Sequence, residues 1–505
     1  MRQRNGIEHN RARLTLEPLE ERAVPTIFTV SNLNDGGPGS LRQAISAANA
    51  AADPDVIRFS PGLTGTINLT LAGDDNTNAG GDLDILNPVS IEGPGADLLT
   101  VRQTVPNERV FDVQPASGAN VSISGLTITG GNGTNDGGGG VRMVGAVDLT
   151  LSAVEVTGNS SGFLNGGGGV LQLDTNSLLI IRNSTIANNS TGAGLDGGGI
   201  RVVNGAASIL NSTISGNTTG AEGGGILISG AGSAIIRNST IVGNRAPNTS
   251  LGRGGGILIA MGGSANLSSN IIAGNGAGFL GDDVDGIVEP SSDHNLIGKD
   301  TGLMGIMNGV NGNIVGTSAA PINPRLGPLQ LNGGHTRTQA LLPGSPAIDK
   351  GFAPGEITSD QRGPLFARTF GPAPDIGAVE VQPNPGPTGQ AIQAAIQAVG
   401  ILLSGGAHFS AFAFGDVSGD SVNDIVLALR LRNGRLLLAS LDGVDGHIQG
   451  AFAPFPARVN PSARVQLVTL DFSTDSGSEI GLLVTNGGLG VPRVSIFNEI
   501  GRRLL

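Results

Sequence analysis

One short motif recurs along the middle of this 505-residue chain at nearly constant intervals. NSTIANN (183–189), NSTISGN (211–217) and NSTIVGN (238–244) are the clearest copies, and LTITGGN (126–132), AVEVTGN (153–159) and SNIIAGN (269–275) are weaker ones. The last asparagines of the copies are separated by 27, 30, 28, 27 and 31 residues: Asn132, Asn159, Asn189, Asn217, Asn244 and Asn275. A period of this length indicates a solenoid, in which each repeat buries its apolar face against its neighbours.

A second landmark has the same period. Glycine runs end in an aliphatic residue once per unit, at Val141, Val170, Ile200, Ile226 and Ile257. The segments between the landmarks are short, rich in β-branched residues and bounded by turn residues, which predicts strands. Because no helical period separates them, strands of successive units are expected to stack as parallel sheets. The predicted fold class is all-β: a right-handed, single-stranded parallel β-helix with regular turns over residues 121–280.

Stacking places the repeated asparagines above one another, about 4.8 Å apart. Two amide ladders are predicted, one of Asn183, Asn211 and Asn238 and one of Asn189, Asn217 and Asn244. In each ladder a side chain donates to the carbonyl of the next. The second ladder is expected at a bend with left-handed backbone geometry, and the glycine runs allow positive φ at a sharp corner. These residues are therefore interpreted as structural.

The front end of the solenoid needs a cap, because an open end is an exposed sheet edge. Ser40 and Gln43 have capping-box spacing. The apolar residues of the same segment fall on one helical face: Leu41, Ala44, Ile45 and Ala48. The segment is therefore predicted to form a short amphipathic helix that caps the N-terminal end.

Residues 315–381 lose the repeat spacing and are predicted to form the C-terminal cap, with Asp360 and Arg362 paired inside it. Several segments resemble the choice-of-anchor Q family of β-helix proteins: FTVSNLNDGGPGSLRQAISAAN at the front, and GPLQLNGG, LLPGSPAID, DQRG and DIGAVE at the back. The repeats are also similar to those of polymorphic outer-membrane adhesin-type proteins. The resemblance implies a surface-exposed β-helix with its caps over residues 27–381, and no established catalytic activity.

Residues 1–26 are polar and contain no apolar segment of the kind that a secretory signal needs, so they are expected to form a disordered tail. Within them, LTLEPLEERAVP resembles the LEP-type motif of predicted exported planctomycete proteins, which implies export. No run of the sequence reaches the roughly 20 apolar residues that span a bilayer. The expected location is therefore outside the cell or on its surface.

The charge balance narrows the class of partner. The net charge is −12, there is no cysteine, and the basic residues are not clustered beyond the N-terminal tail. A phosphate backbone needs such clusters, which argues against nucleic acid. The absence of cysteine excludes disulfides and thiolate chemistry. A polysaccharide or a cell-surface protein is the expected partner.

A column of polar residues just before the glycine runs is the candidate ligand site: Asp136, Asn165, Asp196, Glu222 and Arg253. Stacked on one edge, these residues could bind Ca²⁺ or an extended saccharide. The alternative is a solvated turn row whose mixed charges limit repulsion. The loop GDDVDG (281–286) leaves a similar choice between a hard-cation site and a solvated acidic loop.

The β-helix is also the scaffold of many polysaccharide lyases and hydrolases. Pectin hydrolases of this fold carry Asn-Thr-Asp, Asp-Asp, Gly-His-Gly and Arg-Ile-Lys on successive turns. Here only Gly-His-Thr (334–336) and isolated Asp pairs (74–75 and 282–283) are present, and Asp293 beside His294 suggests no triad. No catalytic residue is predicted. The favoured function is non-catalytic binding and scaffolding, and the alternative is a carbohydrate-active enzyme.

Residues 382–404 are predicted to form a linker and a short helix, and residues 405–505 a small β domain. Asp416, Ser418, Asp420 and Asp424 occupy positions 1, 3, 5 and 9 of a loop between apolar strands, a spacing that can wrap Ca²⁺ with the Val422 carbonyl at position 7. A weaker second copy contains Asp471, Ser473, Asp475 and Glu479.

These loops resemble the FG-GAP (VCBS-type) repeat of integrin-like propellers, which implies calcium in the first loop. Ser421 replaces the family's usual glycine, so an ordinary Asp/Ser turn is the alternative. Two such units cannot close a propeller. The domain is therefore expected to be partial, atypical or dependent on a partner.

Overall fold

The structure is a computed structural model that describes residues 25–382, except positions 52, 74–75, 134–135 and 163–164, and the strands of the C-terminal region. Residues 27–315 form a parallel β-solenoid of about nine turns, so the predicted fold class is confirmed. Each complete turn contributes strands to sheets A, B, D and C in chain order, except that the first turns lack a sheet D strand. Equivalent strands of successive turns pair in register.

The strands are short and fall into four sheets. Sheet A contains nine: β1 (Ile27–Val30), β2 (Asp55–Phe59), β5 (Val89–Glu92), β8 (Asn120–Ser124), β12 (Asp148–Ser152), β16 (Leu178–Arg182), β20 (Ala206–Leu210), β24 (Ser233–Arg237) and β28 (Ser264–Ser268). Sheet B contains ten: β3 (Gly65–Leu69), β6 (Leu99–Gln103), β9 (Thr127–Thr129), β13 (Glu155–Thr157), β17 (Thr185–Ala187), β21 (Thr213–Ser215), β25 (Thr240–Val242), β29 (Ile271–Ala273), β32 (Leu296–Ile297) and β34 (Ile314–Val315). Sheet C contains nine: β4 (Leu83–Ile85), β7 (Phe111–Val113), β11 (Val141–Met143), β15 (Val170–Gln172), β19 (Ile200–Val203), β23 (Ile226–Ser229), β27 (Ile257–Ile259), β31 (Val284–Ile287) and β33 (Leu303–Met304). Sheet D contains six: β10 (Asn132–Gly133), β14 (Ser160–Ser161), β18 (Ser190–Ala193), β22 (Thr218–Gly220), β26 (Arg245–Ala246) and β30 (Gly276–Ala277).

Inward side chains of successive turns stack into columns of aliphatic residues. One column of sheet A contains Ile123, Leu151, Ile181, Ile209, Ile236 and Leu267, all fully buried. This stacking buries apolar area on every turn without large aromatic residues, which fits an aromatic content of 3%.

The sharp corner before sheet C depends on glycine. Gly138, Gly167, Gly197, Gly223 and Gly254 occupy equivalent positions, with φ between +60° and +70°. A Cβ at Gly167 would lie 2.7 Å from the Cβ of Leu171, and the other four positions are similarly crowded. The predicted positive φ is therefore confirmed, and a side chain is excluded by space as well as by conformation.

The predicted ladder of Asn189, Asn217 and Asn244 is present and longer than expected. The backbone N–H and Nδ2 of each asparagine donate to the Oδ1 of the next at 2.9–3.0 Å, from Asn159 through Asn275. Asn275 donates both of its groups to Asp283, whose carboxylate ends the ladder. The left-handed residue is not the ladder asparagine but the one before it, such as Asn188 (φ 54°) and Gly216 (φ 67°).

The predicted ladder of Asn183, Asn211 and Asn238 is wrong. These residues themselves adopt positive φ, at 51°, 44° and 46°. The Nδ2 groups of Asn211 and Asn238 donate to the carbonyls of Ser359 and Phe352, outside the solenoid. The ladder at this bend runs one residue later, through Ser184, Ser212, Ser239, Asn270, Asn295 and Asn313.

The N-terminal capping helix α1 (Leu41–Ala50) is present. The Ser40 hydroxyl accepts from the Gln43 N–H, and Gln43 Oε1 accepts from the N–H of Gly39 rather than of Ser40. Leu41, Ala44, Ile45 and Ala48 are buried in the main core, as the apolar face predicts.

Residues 326–381 form an arm along the side of the solenoid, whereas the sequence predicted a cap across its end. The arm begins with the antiparallel pair β35 (Leu326–Gln330) and β36 (Thr338–Leu341). It bonds to sheet B and its flanking bends over many turns: His335 contacts Asp97, Thr336 donates to Asn183 O, and Phe352 N–H donates to Ser269 Oγ. Ile306 and Val315 instead pack into the main core near its C-terminal end. We call residues 326–381 the lateral arm.

The lateral arm encloses a second, smaller apolar core against the last turns of sheet B. Its buried members are Val242, Ile271, Ala273, Leu296, Leu341, Ala347 and Ile376. Thr185, Thr213 and Thr240, which face outward from sheet B, are at most 1% exposed because the arm covers them. The predicted Asp360–Arg362 pair lies inside the arm, with Asp360 Oδ2 2.7 Å from Arg362 Nη2.

The C-terminal region contains two antiparallel sheets. One comprises β37 (His408–Gly415), β38 (Asp424–Arg430), β39 (Leu436–Leu441) and β40 (Ile448–Phe452), and the other comprises β41 (Arg464–Leu470), β42 (Glu479–Thr485) and β43 (Arg493–Phe497). The predicted tail, most of the linker and the predicted short helix after it lie outside the described residues. The FG-GAP assignment of the two sheets stays a prediction.

We expect Asn217→Ala to destabilise the solenoid. It leaves Asn189 N–H and Nδ2 without their shared acceptor in a buried bend, and each such loss costs roughly 1–3 kcal/mol. Urea denaturation followed by circular dichroism measures the change. Asn188→Gly is the control, since Asn188 has positive φ and an exposed side chain. An equal loss of stability in both variants would contradict a stabilising role of the Asn217 side chain.

We expect Gln361→Ala to loosen the lateral arm while the solenoid stays folded. Gln361 Oε1 accepts from Thr213 Oγ1 at 2.6 Å, and its Nε2 donates to Thr185 Oγ1 at 3.0 Å, so the change removes two of the arm's polar contacts at the centre of sheet B. Hydrogen exchange should accelerate at the amides of residues 359–381 and stay unchanged in sheet A. Gln382→Ala, which removes one contact of 3.5 Å, is the control. Uniform acceleration along the whole chain would contradict a separable arm.

Candidate functional site

The outer faces of sheets A, B and C differ in what covers them. The lateral arm seals much of sheet B. Sheet C carries a row of charged residues that pair with one another. Sheet A has no covering segment among the described residues over most of its length, and its outward side chains are largely half-buried or exposed. The site for a large ligand must therefore be sought on sheet A or along the charged row.

The charged row follows one outward column of sheet C: Asp84, Asp112, Arg142, Leu171, Arg201, Leu227, Leu258 and Asp285. Arg142 lies beside Asp112 of the preceding turn and donates to it through Nε at 2.9 Å. Stacked like charges would repel at a spacing of about 4.8 Å. Asp84 and Asp112 are adjacent, with the guanidinium groups of Arg109 and Arg142 beside Asp112; further along the row, leucines separate the charged residues.

The predicted ligand column lies next to this row but is not a single column. Asp196, Glu222 and Arg253 are in register, whereas Asp136 and Asn165 stand one position earlier than Gly137 and Gly166, which occupy the equivalent places. The sequence prediction took the residue just before each glycine run. Because the runs differ in length, this rule places Asp136 and Asn165 one position too early.

The carboxylates of the predicted column have partners within the protein. Asp136 lies 2.7 Å from Arg142, Asp196 lies 3.6 Å from Arg201, and Glu222 lies 3.9 Å from Arg253. Arg253 also binds Asp285 at 2.7 Å. Burial and the nearby Asp196 raise the pKa of Glu222, with Arg253 opposing them. A ligand here would have to compete with guanidinium groups; ligand binding by the column stays a prediction.

Three buried carboxylates meet at the N-terminal end of the charged row. One oxygen each of Asp82, Asp84 and Asp112 lies within 4.8 Å of the others, the one such group found among the described residues. Arg109 Nη1 lies 3.0 Å from Asp82 and 3.1 Å from Asp112, and Arg142 also binds Asp112. Two guanidinium groups thus occupy the cluster. A cation would have to displace them, so the arrangement fits a buried ion-pair network better than a metal centre.

The acidic loop 281–286 separates its three carboxylates. Asp282 pairs with Lys299 at 2.9 Å, Asp283 ends the asparagine ladder, and Asp285 binds Arg253. Burial raises the pKa of Asp283 to about 6, partly offset by the N–H groups of Asn275 and Lys299. Each carboxylate therefore has a structural partner, and the three do not converge on a common point.

The open face of sheet A presents one central column of outward residues: Ile27, Val56, Ser90, Ser122, Thr150, Ile180, Ser208, Ile235 and Asn266. Nine strands extend over about 38 Å. Hydroxyl and amide groups alternate with aliphatic side chains, and Ile235 is 44% exposed. The face is therefore flat, amphipathic and free of dense charge.

A groove of about 280 Å³ lies at the N-terminal end of this face, beside the edge where the sheet A strands begin. Its polar lining consists of Asp55, Ser90, Asn120, Ser122, Asp148 and Thr150. Its apolar lining consists of Pro25, Pro54, Val56, Val89 and Val121. A concave, mixed apolar and polar surface of this size suits the end of a small polar ligand.

Sequence reasoning missed this groove. Asn120 and Asp148 immediately precede the inward Val121 and Leu149, and the following turns have Leu178 and Ala206 at that position. The signal was weak, because the column continues with Ser233 and Ser264 and is mixed, so that only the amide and the carboxylate distinguish these two turns. It becomes visible only once the register between turns is known.

The remaining predicted sites have mixed outcomes. Asp293 Oδ1 accepts from Ser268 Oγ and contacts His294 Nδ1, so the carboxylate rather than the histidine is central, and no triad forms.

Asp416 and Asp424 are buried at the two ends of the first predicted calcium loop, where Gly415 pairs with Asp424. Ser418, Asp420 and Val422 lie outside the described residues, as do Asp471, Ser473, Asp475 and the side chain of Glu479. Calcium binding there stays a prediction.

We expect stability to fall as pH rises, in part through Asp82. Burial raises the pKa of Asp82 to about 8, against the opposing effect of Arg109, from an ordinary value of 3.8. The folded state therefore holds a proton that the unfolded state has released. This contribution is complete below pH 3.8 and is lost as pH rises through about 8. Melting temperatures of the wild type should decline between pH 6 and 9, and less steeply for Asp82→Asn. Parallel melting-temperature profiles of the wild type and Asp82→Asn would contradict the role of Asp82. The control is Asp136→Asn, which removes an exposed carboxylate.

The comparisons with known proteins concern the solenoid only. Residues 112–283 match the family model described as a right-handed β-helix region, which covers roughly a third of the chain. No curated protein and no solved structure gives a significant match. Within the described residues, no helix has the length and apolarity to cross a membrane. The family match agrees with the parallel stacking seen here and assigns no specific activity.

Proposed function

We propose that this is a non-catalytic β-helix protein, exported to the cell surface or beyond, that binds carbohydrate through the open face of sheet A and serves in adhesion or scaffolding. The observation that carries the proposal is the contrast between the outer faces. Sheet B is sealed by the lateral arm and the sheet C charges are paired, whereas sheet A offers in-register hydroxyl, amide and aliphatic groups.

The chemistry of the open face supports a saccharide ligand. Sugar rings combine apolar C–H surfaces with hydroxyl groups. Ile180 and Ile235 provide apolar contact area, and Ser122, Thr150 and Ser208 on the same column provide hydroxyls. A face of about 38 Å accommodates an extended chain along the solenoid axis. A cell-surface protein is the other class of ligand for such a face.

Rigidity supports a presenting role. The asparagine ladder fixes every turn from Asn159 to Asn275, and its side chains are nearly or fully buried. The face is therefore pre-organised, and ligand binding costs little ordering of the protein. Export is supported by the resemblance of residues 14–25 to the LEP-type motif.

Binding by sheet A is tested with an array of neutral, amino and acidic polysaccharides, using the full chain. Ser208→Arg places a long charged side chain at the centre of the face and should weaken binding at least roughly tenfold. Ser318→Arg, at an exposed position away from the sheets, is the control. Glycan binding that Ser208→Arg does not weaken would contradict the proposal, and so would the absence of any glycan binding. If no glycan binds but a cell-surface protein is captured, the ligand is a protein instead.

A carbohydrate-active enzyme remains the alternative function. Its strongest support is the group at the tip of the lateral arm, where His335 Nδ1 lies 2.7 Å from Asp97 and Arg337 pairs with Glu155. Burial raises the pKa of Glu155, with Arg337 opposing it, as a proton donor requires. Release of reducing ends or unsaturated products from the same polysaccharides decides the matter. Turnover abolished by Glu155→Gln, Asp196→Asn or Glu222→Gln would replace the non-catalytic function.

We also propose that the first C-terminal loop binds Ca²⁺ through Asp416, Ser418, Asp420, Asp424 and the Val422 carbonyl. The pairing of Gly415 with Asp424 brings both ends of the loop together. Because a ligand of the native state stabilises it, added Ca²⁺ should raise the melting temperature of the C-terminal transition. Asp416→Ala and Asp420→Ala should abolish the shift, and Asp471→Ala should not. A shift retained in the first two variants would contradict the site.

A further inference from the structure

We infer that the groove at the start of sheet A is a subsite for an amino sugar, a hexose unit carrying a free ammonium group, at the end of the bound carbohydrate. The inference rests on the proposed function and adds a ligand class to it. Three properties of the groove support the inference: the hydrogen bonding of its polar side chains, its charge and its apolar lining.

Three of the six polar side chains of the groove have no hydrogen-bond partner among the described residues. Within residues 25–382, the side chains of Asn120, Asp148 and Thr150 make no hydrogen bond to another described group. Ser90 and Ser122 bond only to each other, at 2.9 Å. On sheet C, by contrast, Asp112 and Asp285 of the charged row and Asp136 and Asp196 beside it have guanidinium partners. The groove is therefore where this solenoid leaves a set of donors and acceptors available to a ligand.

Asp55 adds an unpaired buried acceptor. Asp55 lines the groove but is only 2% exposed, and it is in register with the inward Val89. Its Oδ1 accepts from the Thr26 N–H at 3.2 Å, while Oδ2 has no hydrogen-bond partner. A buried carboxylate oxygen without a donor is costly. Asp55 therefore contributes a carboxyl group beneath the groove, and Asp148 contributes the carboxylate that is exposed to a ligand.

The charge of the groove selects the ligand class. Asp55 and Asp148 line it, and no lysine or arginine of the described residues does. Arg58, on the same strand as Asp55, is paired with Glu92 at 2.8 Å. The groove therefore carries an uncompensated negative potential, which attracts a cation and repels a carboxylate. Uronic acids are disfavoured on this ground, and a sugar with an ammonium group is favoured over a neutral one.

The apolar lining makes an amino sugar a better fit than a bare cation. Val56, Val89 and Val121 with Pro25 and Pro54 supply contact area for the C–H face of a sugar ring. Asn120, Ser122 and Thr150 supply partners for its hydroxyls. The volume of about 280 Å³ lies near the lower end of the range for small-ligand pockets, roughly 300–1,000 Å³. A terminal residue of a chain extending along sheet A matches this volume.

The test measures binding of three tetrasaccharides to the full chain by calorimetry at pH 6: glucosamine, glucose and galacturonate oligomers. We expect the glucosamine oligomer to bind at least roughly tenfold tighter than the glucose oligomer, because a charge-assisted bond is worth about that much. The galacturonate oligomer should bind most weakly. Raising the salt concentration should reduce the preference, since the groove is open to solvent.

Three variants test whether the preference for glucosamine arises in the groove. Asp148→Asn removes an exposed, unpaired carboxylate and should bring glucosamine binding to the level of glucose. Asp136→Asn removes an exposed carboxylate that is paired with Arg142, and should leave the preference intact. Thr150→Arg should block the groove to every ligand. Asp148 makes no side-chain bond to another described residue, so Asp148→Asn is expected to fold normally.

The outcomes separate this inference from the proposed function. Equal binding of glucosamine and glucose, or equal losses in Asp148→Asn and Asp136→Asn, overturns the amino-sugar subsite. Carbohydrate binding that Ser208→Arg blocks but Thr150→Arg and Asp148→Asn do not also overturns it, while sheet A stays the binding face. Failure of every tetrasaccharide and every arrayed glycan to bind refutes the proposed function itself.

Discussion

The structure depends on in-register hydrogen bonding between the backbones of successive turns. Because each residue lies directly above its equivalent one turn away, any side chain repeated in the sequence becomes a column in space. Columns of isoleucine and leucine build the core, and a column of asparagine binds the bends together. The same rule makes stacked like charges unfavourable: Asp84 and Asp112 are adjacent in the charged row on sheet C and need the guanidinium groups of Arg109 and Arg142, whereas Leu171 separates Arg142 from Arg201.

Stacking also creates a problem at each end of a column, where the last polar group has no next turn. The asparagine ladder is ended by Asp283, an acceptor that takes both donors of Asn275 and also accepts from Lys299 N–H. At the other end, Asn159 Oδ1 accepts from Gly131 N–H. The acidic loop 281–286 is thus explained by folding, because a buried row of amides needs a terminal acceptor.

Repetition made the solenoid, its glycine corner and the ladder through Asn217 predictable from the sequence. It could not predict what covers an outer face, since a covering segment obeys no period. The lateral arm binds through the positive-φ asparagines Asn211 and Asn238, so the very residues that looked most like a ladder are its anchors. Charged columns were misplaced for a related reason: glycine runs of unequal length shift the register by one residue at Asp136 and Asn165.

Ligand recognition requires departures from the repeat. A residue that recurs on every turn must be compatible with its own copies, and the neighbours usually satisfy it, as they satisfy Asn217. A residue that occurs once or twice, such as Asn120 or Asp148, has no such partner among the described residues and keeps its hydrogen-bonding capacity. The first turns of sheet A are irregular, uncovered by the lateral arm and concave. They are therefore the part of this solenoid in which unpaired polar groups survive folding and are available to bind a ligand.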